Sequence, residues 1–242
     1  MKIVGIDLGT SNCCISYIHD NGKMEIIRDS NYDNFITMPS IVNIEANAVL
    51  VGHEVDKNHI NYNKNIFHSF KRLIGHNLND IYTTNLKEIL NYDISMCNNE
   101  IVCYDDSQHM HRIPDLIFLL LRKIKTLIDE HLKDEKWECI VTVPAYFNEK
   151  QKKITMESIN MAQLPIKRLL NEPTAASYAY LYHNNVLHEQ EFNKKILVID
   201  YGAGTFDLTI LEIEKDNEDI DSMYCEVLGI YGDNNFGGID IT

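Results

Sequence analysis

The first fifty residues alternate short apolar runs with glycine and small polar residues, a pattern that is typical of strands joined by turns. Residues 3–8 predict a buried strand, and residues 13–18 predict its antiparallel partner after the turn Gly9-Thr10-Ser11-Asn12. The chain is therefore expected to open with a hairpin inside a β-meander. Its further predicted strands cover residues 25–27, 40–44 and 48–51.

The middle of the chain changes to helical periodicity. Residues 58–99 are rich in Asn and Tyr without a clear period, so short helices and long connections are expected there. From Pro114 to Lys133, apolar residues recur at helical spacing, which predicts a long helix. Asn148 and Gln151 have the spacing of a capping box. Two strand–helix units follow. In the first, the predicted strand covers residues 139–143 and the helix 149–163, and in the second, the strand covers 166–170 and the helix 173–182. Such units indicate a sheet covered by helices.

A polar, aperiodic segment at residues 184–195 separates this region from a second β pattern. Residues 1–185 are predicted to form a first lobe, residues 186–194 a connection, and residues 195–242 the start of a second lobe. The predicted fold is α/β, with a complete or nearly complete first lobe and the first strands of the second. Three strands without a covering helix are predicted for the second lobe, at 195–200, 205–214 and 222–231.

Composition narrows the classes of protein that fit this pattern. The 242 residues are 45% hydrophobic and 24% charged, which is typical of a folded globular chain. A formal net charge of −14 disfavours a nucleic-acid partner. The longest apolar run, residues 116–121, is too short for a membrane span, and Lys2 and Asp7 interrupt any signal-peptide core. We therefore predict a cytoplasmic protein without a membrane partner.

The cysteine and histidine spacings do not favour a metal centre. The six cysteines lack any Cys-x-x-Cys pair, which indicates reduced thiols. His109 and His111 are interpreted as an isolated pair on a surface strand, without nearby cysteine or carboxylate partners.

Two segments of the chain repeat each other: Ile6-Asp7-Leu8-Gly9-Thr10-Ser11 and Ile199-Asp200-Tyr201-Gly202-Ala203-Gly204-Thr205. In each, a strand ends near an aspartate and a glycine turn with a hydroxyl residue follows. Such a turn lets backbone N–H groups approach phosphate oxygens closely. One copy is common in inert hairpins, whereas two matched copies indicate a phosphate clamp built from two lobes.

The aspartates of the two segments have two possible explanations. A carboxylate beside a polyphosphate is unfavourable unless a divalent cation lies between them, and Mg²⁺ commonly binds through retained waters. Asp7 and Asp200 are therefore candidate magnesium residues, mainly through water. The alternative is that each aspartate simply caps its own turn through a side-chain hydrogen bond.

Six ordered motifs resemble those of the 70-kDa heat-shock chaperone family and cover essentially the whole chain. They are Gly5-Ile6-Asp7-Leu8-Gly9-Thr10-Ser11-Asn12, Phe70-Lys71-Arg72-Leu73-Ile74-Gly75, Val143-Pro144-Ala145-Tyr146-Phe147-Asn148, Asn171-Glu172-Pro173-Thr174-Ala175-Ala176, Asp200-Tyr201-Gly202-Ala203-Gly204-Thr205-Phe206-Asp207 and Gly237-Gly238-Ile239-Asp240.

The resemblance implies an actin-like (ribonuclease H-like) ATPase fold with ATP or ADP and Mg²⁺ between two lobes. It further implies hydrolysis coupled to peptide binding, with unfolded peptides, J-domain co-chaperones and nucleotide-exchange factors as partners. The implied nucleotide-binding residues are Gly9, Thr10, Ser11, Asn12, Gly202, Ala203, Gly204 and Thr205, the catalytic ones are Lys71, Glu172, Asp200 and Thr205, and the metal residues are Asp7 and Asp200.

The implied roles differ between residues. Lys71 would reach the γ-phosphate and the attacking water, although a solvated surface lysine is the ordinary explanation without the motif. Glu172 would orient metal-bound water, although an acidic residue at a helix start is also ordinary capping. Thr205 would lie nearest the phosphates.

The chain departs from the family pattern at three positions. Ala203 replaces the middle glycine of the second turn, Lys152 replaces an arginine thought to relay the nucleotide state, and Thr242 replaces an aspartate. In the family, the adenosine pocket and the peptide-binding domain follow the last motif. We therefore expect this polypeptide alone to bind ATP weakly and to hydrolyse it negligibly.

Two other classes of function compete with the chaperone ATPase. One is a short, non-hydrolysing relative that acts as a binding module for chaperones or co-chaperones. The other is a sugar or glycerol kinase of the same superfold, which shares the glycine turns. Motifs like those around Lys71 and Glu172 are not expected in such kinases.

Overall fold

The computed structural model describes residues 1–32, 34–82, 86–184, 192–215, 223–233 and 236–241. The chain forms two compact units, residues Met1–Val141 with Asn148–Arg168 and residues Thr142–Phe147 with Leu169–Thr242. Most of the predicted connection at 186–194, together with Thr242, lies outside the described residues. The division into lobes stays a prediction.

The elements follow one another in an order that mixes strands and helices, which confirms the predicted α/β class. The first ten strands and two short helices are β1 Lys2–Leu8, β2 Asn12–Ile18, β3 Met24–Ile26, β4 Met38–Pro39, β5 Val42–Glu45, β6 Ala48–Val51, β7 Ile66–Phe67, α1 Leu78–Tyr82, α2 Leu86–Ile89, β8 Asp93–Cys97, β9 Glu100–Tyr104 and β10 Met110–Arg112. The remaining elements are α3 Ile113–Leu132, β11 Trp137–Val143, α4 Glu149–Met161, β12 Ile166–Asn171, α5 Glu172–His183, β13 Phe192–Tyr201, β14 Phe206–Lys215 and β15 Met223–Asp233.

The largest sheet has the strand order β12-β11-β1-β2-β3, with β4 paired to β2. Strands β1 and β2 are antiparallel, with Asp7 opposite Cys14, and this confirms the predicted hairpin. On its other edge β1 runs parallel to β11. Val4, Ile6 and Leu8 alternate along β1 and are fully buried, so this strand lies in the core and fixes where the first glycine turn begins.

Two smaller sheets in the first unit show where the sequence-based prediction was incomplete. Their strand orders are β6-β5-β7 and β10-β9-β8. The region at 58–99 contains short helices, as expected, but also strands β7 and β8, which were not predicted. The sequence of β8, Asp-Ile-Ser-Met-Cys, has weak alternation, and this strand forms by pairing along its whole length with β9.

Helices α3 and α4 pack against each other in the first unit. The buried stripe of α3 includes Leu116, Leu120 and Ile124, and Pro114 occupies its first turn, as the helical pattern predicted. At the start of α4, the side chain of Asn148 accepts from the backbone N–H of Gln151 at 3.0 Å. The Gln151 side chain accepts in return from the Asn148 N–H at 3.0 Å, so the predicted capping box is confirmed.

The second unit contains an antiparallel meander with the order β13-β14-β15. Leu181 of α5 packs in a buried cluster with Phe192, Leu211 and Ile213 of β13 and β14. The expectation that no helix covers this sheet is therefore wrong, because α5 covers one of its faces. The sequence pattern places this helix in the preceding strand–helix repeat, and the contact with β13 and β14 is not visible in it.

None of the helices that the structure describes combines the length and the hydropathy that crossing a membrane requires.

Candidate functional site

The first glycine turn joins β1 to β2 and is closed very tightly. A Cβ atom built on Gly9 would lie 2.2 Å from the backbone oxygen of Asn12. No side chain fits in that distance, so the close approach of the two backbone segments requires glycine.

The carbonyl side of this turn is held by Ser40. The Ser40 hydroxyl donates to the carbonyl oxygen of Gly9 at 2.7 Å, and the Ser40 N–H donates to the carbonyl oxygen of Ser11 at 2.9 Å. In a trans peptide the N–H points opposite to the preceding carbonyl. The N–H groups of Thr10 and Asn12 therefore point away from Ser40. Sequence reasoning missed Ser40, which lies in no motif.

Lys71 lies beside the same turn. It belongs to a single 3-10 turn, Phe70–Leu73, and its ammonium group donates to the carbonyl oxygen of Leu8. The residue is only 7% exposed, so the alternative of a solvated surface lysine is wrong. The structure thus brings the predicted catalytic lysine to the turn that carries Gly9, Thr10 and Ser11.

The thiol of Cys13 is buried close to the Ser40 hydroxyl and to the ammonium group of Lys71. The Cys13 sulfur is 3.3 Å from the Ser40 hydroxyl. Burial raises the pKa of this thiol to about 11, although its hydrogen bond with the Ser40 hydroxyl and the nearby Lys71 ammonium act in the opposite direction. Cys13 is therefore a protonated packing residue at neutral pH rather than a reactive thiolate.

The capping box of α4 fixes the end of the Lys71 turn. The Gln151 side-chain amide donates to the carbonyl oxygen of Ile74 at 3.2 Å. The next residue, Gly75, has a φ of 73°, and a Cβ there would lie 2.7 Å from the Cγ of Gln151. The helix start therefore supports the segment that carries Lys71, a link that sequence spacing did not show.

Asp7 lies on β1, two residues before Gly9, and its side chain is exposed. An exposed carboxylate next to a tight turn is compatible with a water-mediated cation. Its predicted magnesium role is not tested by this placement and stays a prediction.

The second glycine turn, in the other unit, is also held on its carbonyl side by a distant segment. The Gly202 N–H donates to the Thr205 carbonyl at 3.0 Å and closes a two-residue loop of Ala203 and Gly204. The carbonyl oxygens of Gly202 and Ala203 accept from the N–H groups of Gly238 and Ile239, at 2.9 and 3.0 Å. Peptide planarity then directs the N–H groups of Ala203 and Gly204 away from that segment.

Gly237, the first glycine of the sixth motif, is what permits this contact. A Cβ on Gly237 would lie 2.5 Å from the carbonyl oxygen of Ala203 and 2.6 Å from the Gly204 nitrogen. Gly237 and Gly238 belong to the family motif, but their spacing alone predicts no role. Their role in the structure is to hold the carbonyl side of the second turn.

The remaining predicted site residues also lie in the second unit. Glu172 is the first residue of α5, and Thr205 is half-buried directly after the turn. Asp200 of β13 lies directly opposite Asp207 of β14, which is 1% exposed. The predicted magnesium and catalytic roles of Asp200 are not tested by this placement and stay predictions.

The histidine pair in the first unit has a partner that the sequence did not predict. His109 Nδ1 lies 3.2 Å and His111 Nε2 lies 3.1 Å from Oδ2 of the buried Asp105. The description of this pair as lacking a carboxylate partner is therefore wrong. Across the described part of the chain, no group of three or more His, Cys, Asp or Glu side chains is arranged to hold a metal ion directly.

Comparison with known proteins assigns the family. Residues 3–242 match the family model described as Hsp70 protein. The chain belongs to the Hsp70 family. This Hsp70 chain is also 37% identical over 240 residues to the chaperone protein DnaK of Buchnera aphidicola subsp. Schizaphis graminum (strain Sg). The alignment covers 99% of the chain but 36% of that relative, so the chain spans about a third of its length.

The predicted resemblance and the predicted actin-like ATPase fold class are thereby confirmed for this Hsp70 chain. The separate roles of the site residues are not tested by family membership and stay predictions.

Proposed function

We propose that this Hsp70 chain binds the phosphates of ATP or ADP with Mg²⁺, as the N-terminal part of a chaperone that hydrolyses ATP to control peptide binding. One observation supports this most directly. In both glycine turns a distant segment occupies the carbonyl oxygens, so that peptide planarity directs the amides to the other side. Backbone amides presented in this way form a site for anionic oxygens.

The side chains around the turns fit the same ligand. Lys71 adds a compact positive charge next to the first turn, and the turn itself is too tight for any residue but glycine at position 9. A magnesium ion supplies neutralisation between carboxylates and phosphate oxygens. Asp7 beside the first turn, and Asp200 opposite Asp207 beside the second, are the residues that would hold it, mainly through water.

Phosphoryl transfer depends mainly on positioning and electrostatic stabilisation. Each protein group has a separate role in it. Lys71 stabilises charge on the terminal phosphate, and loss of such a group typically costs about 10² to 10³ in rate. Thr205 donates its hydroxyl to phosphate oxygens. Glu172, at the start of α5, would orient metal-bound water.

The activity of the whole protein and its partners belong to the same proposal. The curated relative is named a chaperone protein. Unfolded peptides, J-domain co-chaperones and nucleotide-exchange factors are the proposed partners, and the cytoplasm is the proposed compartment. The net charge of −14 supports the absence of nucleic acid from this set.

A titration of the 242-residue chain with Mg-ATP tests the proposal, with backbone amide shifts followed by NMR. We expect weak but saturable shifts at Thr10, Ser11 and Asn12 and at Ala203 and Gly204. Adenosine, which lacks the phosphates, serves as the matched ligand control and is expected to leave these amides unshifted. Equal shifts with adenosine, or no shift at either turn at saturating Mg-ATP, would overturn the proposal.

A further inference from the structure

Ser69 has a backbone conformation that is unfavourable for a residue with a side chain. Its φ is 54°, in the left-handed region, and it immediately precedes the 3-10 turn Phe70–Leu73. In residues other than glycine, such a conformation persists only where surrounding contacts hold it. Because the turn that carries Lys71 begins at Ser69, the direction of that turn depends on how Ser69 is held.

The peptide group between His68 and Ser69 is held by Tyr92. The Tyr92 hydroxyl donates to the carbonyl oxygen of His68 at 2.7 Å. The Ser69 hydroxyl lies 3.1 Å from Nδ1 of His68, so the two side chains are also joined at this point. Since a peptide group is planar, the bond from Tyr92 fixes the plane from which the φ of Ser69 turns.

Tyr92 is a rigidly placed donor. It is 4% exposed, and its ring centroid lies 5.0 Å from that of Phe67 and 6.1 Å from that of His68. Burial raises the pKa of its hydroxyl well above the usual range, so the group keeps its proton at neutral pH. Tyr92 directly precedes β8, whose whole length is paired with β9. The hydrogen bond to His68 therefore anchors the segment before Lys71 to this sheet.

The turn itself is too short to fix the position of Lys71. It contains four residues, and the Arg72 N–H donates back to the Ser69 carbonyl at 3.0 Å. Hydrogen bonds in 3-10 turns have poor geometry, and such turns rarely extend further. Lys71 reaches the Leu8 carbonyl with a long side chain, so a rotation at Ser69 displaces the ammonium group from that carbonyl.

We infer that Tyr92 is a positioning residue for Lys71, which it holds at the first glycine turn by keeping Ser69 in the left-handed conformation. Loss of the Tyr92 hydroxyl lets Ser69 relax toward an ordinary negative φ and moves the Lys71 ammonium away from Leu8. The consequence for nucleotide binding rests on the proposed function, whereas the contact between Lys71 and Leu8 does not.

The carbonyl-carbon chemical shift of Leu8 tests this inference, because it reports the hydrogen bond from Lys71 in the nucleotide-free chain. Lys71→Met defines the value of the shift without that bond. We expect Tyr92→Phe to move the Leu8 shift most of the way to the Lys71→Met value. Tyr104→Phe is the matched control, since it removes another tyrosine hydroxyl, 3.3 Å from Ser95 Oγ, within the sheet that contains β8. It should leave the Leu8 shift at the wild-type value.

Two changes at Ser69 test the backbone argument without altering Tyr92, and they decide the inference if Tyr92→Phe does not fold. Ser69→Gly adopts the left-handed conformation without steric cost. Ser69→Thr keeps the hydroxyl but adds a β-branch, which strongly disfavours a positive φ. We expect the Leu8 shift to stay at the wild-type value in Ser69→Gly and to move in Ser69→Thr. Addition of Ser69→Gly to Tyr92→Phe should return the shift toward the wild-type value.

The apparent affinity for Mg-ATP provides the functional measurement. We expect Tyr92→Phe to weaken it roughly tenfold, through the displaced charge of Lys71. The inference is overturned if the Leu8 shift is unchanged in Tyr92→Phe, moves equally in Tyr104→Phe, or responds alike to the two changes at Ser69. A displaced Leu8 shift with unchanged Mg-ATP affinity contradicts the proposed role of Lys71 in nucleotide binding instead, so the inference and the proposed function fail separately.

Discussion

The ammonium group of Lys71 donates a hydrogen bond to the carbonyl oxygen of Leu8, the last residue of β1 before the first glycine turn. The two residues are 63 positions apart in the chain. The contact joins the motif around Lys71 to the motif around Gly9, so two of the six sequence motifs form one local arrangement within the first unit.

Replacement of Lys71 by methionine tests the electrostatic role of this contact. Lys71→Met keeps most of the buried stem but removes the charge, so we expect the amide shifts of Thr10 and Ser11 with Mg-ATP to be lost. In the full-length protein, turnover should fall about 10²- to 10³-fold. Lys64→Met is the control, since Lys64 pairs with Asp93 on the exposed surface of the same unit. Retention of the shifts in Lys71→Met would contradict the assigned role.

Steric crowding requires glycine at position 9, whereas no such crowding surrounds Gly229 on β15. Gly9→Ala forces a Cβ to within 2.2 Å of a backbone oxygen, whereas Gly229→Ala on β15 meets nothing within 4 Å. We expect Gly9→Ala to lower the free energy of unfolding by about 1–3 kcal/mol. Gly229→Ala should change it by no more than about 1 kcal/mol, in the stabilising direction. Urea unfolding followed by circular dichroism measures both, and equal effects would disprove the steric argument.

The support that α4 gives to the Lys71 turn is tested by Gln151→Ala. This change removes half of the capping box and the donor to the Ile74 carbonyl, and the loss of a cap typically costs about 1 kcal/mol. We expect a lower thermal midpoint together with weaker phosphate-dependent shifts at the first turn. Lys153→Ala, an exposed change on the same helix, controls for helix propensity. A loss of stability without any change at the turn would limit Gln151 to a structural role.

The buried Asp105 predicts a specific dependence of stability on pH. Burial opposes ionisation of this carboxyl, but the backbone N–H of His109 and the imidazoles of His109 and His111 outweigh it and lower its pKa. A lowered pKa in the folded state adds stability above the unfolded value of about 3.9, and this stability is lost as the pH falls through the folded pKa. The carboxyl therefore stabilises the fold at neutral pH.

Asp105→Asn measures that contribution. We expect this variant to be less stable than the wild type at pH 7, with a difference that shrinks as the pH falls below about 4. Asp106→Asn, at the exposed neighbouring residue, is the control. Its difference in stability from the wild type should not shrink in this way at low pH. Urea midpoints measured from neutral to acidic pH give the comparison. A constant difference at all pH values would show that the carboxyl charge is not the cause.

The features predicted from sequence are those that neighbouring residues determine. The β1–β2 hairpin follows from alternation around a glycine turn, and the capping box follows from the three-residue spacing of Asn148 and Gln151. Burial of Lys71 was not derivable from its own segment, which contains two adjacent basic residues. The family motif was the signal that gave it a role.

The features that were missed depend on contacts between distant segments. Ser40 holds a turn 31 residues earlier, and its residue type gives no sign of this. Strand β8 depends on pairing with β9, and α5 covers a sheet that begins after it in the chain. Asp105 approaches two histidines only because the β9–β10 turn folds back. Such contacts arise from packing, which local periodicity does not encode.

The backbone contact between Gly237–Ile239 and the second turn means that the shape of the turn depends on a segment outside its own hairpin. A synthetic hairpin of residues 196–211 contains every residue of the Asp200 motif but lacks the donors that hold its carbonyl oxygens. Such a peptide would sample other loop conformations, and transplantation of the hairpin into another scaffold would need the glycine segment to be carried along with it.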